Sequence, residues 1–121
     1  MKNSDKAVEN HKNGYACSGA VLCAFAEEAG LSEAKALEIS RPMAGGRMVK
    51  CGAVLAAEHI LKEKFGSDDL TSEFENRFKE MNGSVICKEL KGIGTGKVLR
   101  SCRGCVTDAA EILEAMLEEN S

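Results

Sequence analysis

A chain of 121 residues, 29% charged and 44% hydrophobic, has the balance of an ordinary soluble globule and the length of one domain, residues 1–121. Such a length hides roughly two-thirds of the unfolded surface on folding, enough for a real core. The formal charge of −3, the scattering of sixteen basic residues and an aromatic content of 4% without Trp exclude a nucleic-acid footprint or a base-stacking platform.

Met1-Lys2-Asn3-Ser4-Asp5-Lys6 leads into charged helical sequence, not into the apolar stretch of a signal peptide. No apolar run approaches the roughly 20 residues needed to cross a bilayer. Together these predict a cytoplasmic protein with no membrane partner. Residues 4–13 read as a short polar helix ended by Asn13-Gly14. From Tyr15 to Ala29 the chain is Ala-rich, with Cys17, Ala20, Val21, Ala24 and Phe25 on one stripe and Gly30 as a stop. Ser32 is positioned to cap a helix over Glu33 to Ile39, which Pro42 interrupts at its exit.

Ala44-Gly45-Gly46-Arg47-Met48 is a tight glycine connection. Cys51 to Phe65 is apolar on most faces (Val54, Leu55, Ala57, Ile60, Leu61), the mark of a central buried helix closed by Gly66. Ser67-Asp68-Asp69 opens the next element. There Leu70, Phe74, Phe78 and Met81 fall on one face of an amphipathic helix over 69–81, broken by Asn82-Gly83-Ser84. Residues 85–101 are the least regular, and their alternating Gly92, Gly94 and Gly96 form a connector, not a phosphate loop. A last helix is expected from about Cys105 to Glu119, burying Ala109, Ile112, Leu113 and Met116. With one proline and no Val/Ile/Thr alternation, the fold class is all-α. The expectation is a compact bundle of about five to six helices with a short irregular segment around 84–101.

Six cysteines stand out against this background. A reducing cytoplasm does not maintain ordinary structural disulfides, so thiols in this number point to redox chemistry, metal binding or small core residues. Their positions separate these. Cys51 and Cys105 begin helices, where the macrodipole and unsatisfied backbone N–H groups favour a thiolate. Arg47 and Lys50 flank Cys51, and Arg100 and Arg103 flank Cys105, which adds to that effect. Cys87 follows a breaker, Cys17 lies near the start of its helix, and Cys102-Arg103-Gly104-Cys105 is a CxxC running into a helix. Cys23, six residues after Cys17, points about 120° away around the helix and reads as a core thiol. His11 reads as solvated, His59 as packed, and Lys97, Arg100 and Arg103 as a solvated turn.

With these residues in view, nearly the whole chain resembles the C_GCAxxG_C_C family of redox-active proteins. The resemblance rests on the Cys17 helix, the Gly45-Gly46 turn before Cys51-Gly52-Ala53, Cys87 before a short helical turn, and the Cys105-Val106-x-Asp108-Ala109-Ala110 helix. The central block departs from the pattern in carrying Ala56 where the family has glycine. Cys23 and Cys102 are additional to the four family positions.

The leading expectation is a thiol redox protein working by disulfide exchange or electron transfer. Cys51 and Cys105 would be its low-pKa thiols, and Cys102, Cys87 and Cys17 its resolving partners. Its partner would be a redox protein or a small thiol or disulfide, it would need no cofactor, and its exposed helix faces suit a homodimer. The alternative is a metal or iron–sulfur module in which Cys17, Cys51, Cys87 and Cys105 hold zinc or a cluster. A third reading makes the cysteines gap-fillers in an interaction protein.

Overall fold

The computed structural model describes residues 2–120. Seven α-helices follow one another among them: α1 (Asn3–Lys12), α2 (Cys17–Ala24), α3 (Glu33–Ser40), α4 (Gly52–Phe65), α5 (Asp68–Asn82), α6 (Cys87–Leu90) and α7 (Cys102–Glu119). Tight 3₁₀ turns over Ala26–Ala29 and Arg41–Gly46 complete the regular structure. No strand occurs among the described residues, only an isolated antiparallel bridge between Lys50 and Ile86. The six longer helices and the irregular run around 84–101 match the all-α bundle expected from the sequence. No helix among the described residues is long and apolar enough to cross a membrane.

The helix boundaries follow from local chemistry. The Ser32, Ser67 and Ser101 hydroxyls each accept a backbone N–H of the first turn, from Lys35, Leu70 and Gly104. Gly66 and Gly83 close α4 and α5 in the left-handed conformation. Two boundaries and one buried position differ from the sequence reading. The Tyr15–Ala29 helix divides, because after Phe25 the chain tightens to i→i+3 bonding, with the Glu28 N–H on the Phe25 carbonyl. α7 begins at Cys102 and not at Cys105, because Ser101 caps it one turn earlier. Met81 is 56% exposed, and the buried residue at that end of α5 is Asn82, whose amide donates to the Phe78 carbonyl.

α2 packs on α1, α3 and α4, and α7 packs on α1, α4 and α5, so α2, α4 and α7 enclose the core. Phe25, Phe74, Phe78, Ile60, Leu113 and Met116 are fully buried there, each worth about 1.5–3 kcal/mol relative to exposure. α1 is fixed at its start by Ser4, whose backbone N–H and hydroxyl both donate to the Glu114 carboxylate of α7. The connector after α6 closes on itself: the Leu90 carbonyl accepts from both Leu99 and Arg100. That closure brings Arg100 and the start of α7 back beside α6.

Candidate functional site

Four helices begin at a cysteine. Cys17 is the first residue of α2, Cys51 is the capping residue of α4, Cys87 opens α6 and Cys102 opens α7. With Cys105, one turn into α7, these cysteines line one small cavity, which Leu90, Lys91 and Arg100 complete. The structure therefore gathers all five sequence-predicted site cysteines: Cys17, Cys51, Cys87, Cys102 and Cys105. The positive ends of α2, α4 and α7 meet there, and all three favour negative charge. The cavity is about 10 Å³, on the order of a single water probe, so the thiols face one another with no room for a substrate among them.

Local backbone geometry sets these positions. The Cys51 N–H donates to the Val85 carbonyl at 2.7 Å and the Cys87 N–H to the Val49 carbonyl at 3.0 Å. This antiparallel clip fixes the starts of α4 and α6 against each other. Val49 pays for it with φ +73°, a left-handed conformation that a β-branched residue rarely adopts. Cys17 is held by Gly52: a Cβ on residue 52 would lie 2.6 Å from the Cys17 Sγ and 3.0 Å from the Met43 carbonyl oxygen. Only glycine leaves that sulfur its place. The Gly45 and Ser18 N–H groups both point at the same Sγ.

The thiols differ in their electrostatics. Cys51 is brought down to about 7, first by a hydrogen bond from Cys105, then by the N–H groups of Val54 and Ala53 and the charge of Lys91, against the opposing effect of burial. Cys105 is pushed up by the same hydrogen bond, by burial and by the charge of Cys51. Within the pair, the negative charge is thus favoured on Cys51 and the proton on Cys105. The sequence expectation of two low-pKa thiols gives way to this division. Burial and the charge of Cys51 raise Cys17.

The cations also differ from those that sequence proximity suggests. Lys50 turns away from Cys51 to pair with Glu75 and Glu58, and the exposed Arg47 donates to the Arg41 carbonyl. Arg100 is held by the buried Asp108, at 3.0 and 3.3 Å. Lys91 is the lysine that lines the thiol cavity, and its interaction with Cys102, then Cys87, raises its pKa. Sequence reasoning missed it, since Lys91 lies in the irregular segment and meets Cys102 only through the fold. Its one sequence signal is its place four residues after Cys87, one helical turn on.

Cys23 lies apart from the cavity, buried with its Sγ 4.0 Å from the Glu33 carbonyl oxygen. His59 is partly buried 3.9 Å from Glu63. His11 is not the solvated residue expected. Its Nδ1 is buried without a partner, and burial followed by the charge of Arg103 lowers its pKa. Among the described residues, no three His, Cys, Asp or Glu side chains are arranged to hold a metal ion.

A family model described as "Putative redox-active protein (C_GCAxxG_C_C)" matches residues 15–116. The chain belongs to the C_GCAxxG_C_C family. The match begins just before Cys17 and ends within α7, so it contains every cysteine of the cavity. No curated protein and no solved structure matches the chain.

Proposed function

We propose that this member of the C_GCAxxG_C_C family is a cytoplasmic thiol redox protein that exchanges disulfides through its clustered cysteines. The observation that carries the reading is the convergence of Cys17, Cys51, Cys87, Cys102 and Cys105 on one closed cavity, where Cys51 is lowered and Cys105 raised. Cys51, Cys87 and Cys105 are buried and Cys17 and Cys102 half-buried, and of the buried three Cys87 borders an open groove. The incoming disulfide is attacked by an outer thiol, which forms a mixed disulfide and releases one thiol. The Cys51 thiolate then attacks the protein sulfur of that mixed disulfide and releases the second thiol. The hydrogen bond from Cys105 and the charge of Lys91 help to bring Cys51 down to about 7, so that a large fraction of it is thiolate at neutral pH.

Ligation of zinc or a cluster through Cys17, Cys51, Cys87 and Cys105 has less support, since the side chains are not arranged for an ion. The gap-filler reading does not account for a hydrogen-bonded thiol pair or for a lysine directed at two sulfurs. A redox titration against a dithiol–disulfide couple, followed by peptide mapping, tests the proposal. The expected result is a two-electron transition that forms a disulfide within the cavity set. It should be lost in Cys51→Ser and kept in Cys23→Ser. A chain whose thiols stay reduced across the titration, or that binds stoichiometric metal on anaerobic purification, contradicts it.

A further inference from the structure

A groove of about 390 Å³ opens beside the closed thiol cavity, and Cys87 and Lys91 belong to the walls of both. Its volume lies in the range of small-molecule sites. The sides are apolar and unusually open for such residues: Val49 is 61% exposed and Ile93 56% exposed, with Ile86 between them. Val49 is also the residue held at positive φ, so the clip that aligns Cys51 and Cys87 turns this side chain outward. The charged residues of the wall are Lys88 and Lys91, with no carboxylate among them, on a chain whose net charge is negative. Lys91 is committed to the thiols. Lys88 is exposed and enters no ion pair among the described residues.

We infer that this groove binds a small disulfide carrying a carboxylate, whose apolar arm lies between Val49 and Ile93 and whose carboxylate meets Lys88, with its S–S bond at Cys87. Apolar walls, a free cation and a thiol at one end are the complement of that ligand class. The inference rests on the exchange function proposed above and names its substrate class. The step balances: the Cys87 thiolate bonds to one sulfur of R–S–S–R, the S–S bond breaks, and its electron pair leaves on RS⁻. Attack by the Cys51 thiolate on Cys87 expels the second RS⁻. The protein loses two electrons and forms one disulfide, and the ligand gains two electrons and becomes two thiols, protonated from solvent.

Two matched probes and one inert probe test it on the full chain. Dithiodipropionate and cystamine have the same disulfide skeleton with carboxylate or ammonium ends, and thiodipropionate lacks the S–S bond and cannot exchange. Thiodipropionate should shift amide resonances over residues 86–93 saturably. Relative to an unstructured cysteine peptide, the protein should prefer dithiodipropionate over cystamine about tenfold, and Lys88→Glu, a surface change, should erase the preference and the shifts. Saturable binding of thiodipropionate without oxidation by dithiodipropionate would uphold the groove and overturn the exchange function. Oxidation by both disulfides without preference, or an unchanged preference in Lys88→Glu, would overturn the groove and leave the exchange function standing.

Discussion

Gly52 and Cys17 meet so closely that a Cβ on residue 52 would lie 2.6 Å from the Cys17 Sγ. The glycine that follows the Cys51 thiol is therefore the seat of a second thiol, and the start of α4 and the start of α2 are packed sulfur against backbone. Gly52→Ala should push Cys17 out of the cavity or part the two helices, costing about 1–3 kcal/mol in urea unfolding. Adding Cys17→Ala removes the clashing sulfur and should recover more than half of that loss. Equal destabilisation of the single and double variants would mean that the Met43 carbonyl, not the thiol, sets the limit.

The entrance to α7 depends on a second close approach. A Cβ on Gly104 would fall 2.4 Å from the Arg100 Nε, so the glycine lets the guanidinium lie flat across the helix start and grip Asp108 with two bonds. Asp108 is buried, whereas Arg100 is 42% exposed, so the attraction is partly screened. Arg100→Ala leaves the carboxylate buried and poorly satisfied, and should lower stability by about 1–3 kcal/mol. Arg100→Lys should restore less than half, because an ammonium cannot supply the paired geometry. Chemical denaturation of the three proteins at one pH decides it.

A partly buried carboxyl pair, Glu58 and Glu75, makes stability depend on pH. Burial, then the hydrogen bond and charge of Glu75, push Glu58 up to about 8 from its ordinary 4.5, and Lys50 only partly opposes this. Between those values the folded protein holds a proton that the unfolded chain has released, so this group's contribution to stability falls as pH rises. Glu75 is lowered by its bond to Glu58, and its contribution is lost instead at pH below 4.5. Cys51, lowered to about 7 from 9.0, adds stability as pH climbs through that interval, and His11, lowered below 6.5, adds it as pH rises toward 6.5. The comparison of wild type with Glu58→Gln isolates Glu58. The variant should gain on wild type as pH rises from 5 to 7, by up to about 1.4 kcal/mol per pH unit. Parallel pH profiles would contradict the retained Glu58 proton.

The helices were legible because each carries its own signals: serine caps before α3 and α5, glycines after α4 and α5, and a 3.6-residue stripe in α7. Ser101 is a cap of the same kind and sets the start of α7 one turn before Cys105, inside the CxxC. Met81 shows the limit of periodicity: at i+11 from Leu70 it keeps the phase of the stripe, yet α5 runs past the core there and leaves it exposed. The cysteines were legible as helix starts but not as partners. The convergence of Cys17, Cys51, Cys87 and Cys102 depends on how α2, α4 and α7 cross and on the Lys50–Ile86 bridge, none of which is encoded locally. The same holds for charge. Lys50 adjoins Cys51 in sequence but serves Glu58 and Glu75, and Lys91, forty residues further on, is the lysine that contributes to the Cys51 thiolate.

The most direct test is the ionisation of each thiol, followed by pH-dependent alkylation with mass-spectrometric mapping at partial reaction, where burial slows all rates but the pH midpoint reports the thiolate. Cys51 should show a midpoint near 7, while Cys105 stays protonated above the ordinary thiol range; Cys105→Ala, which removes the donated hydrogen bond, should raise the Cys51 midpoint. Midpoints for Cys51 and Cys105 that both fall near 9.0, unmoved by Cys105→Ala, would contradict that division of charge and the thiolate chemistry built on it.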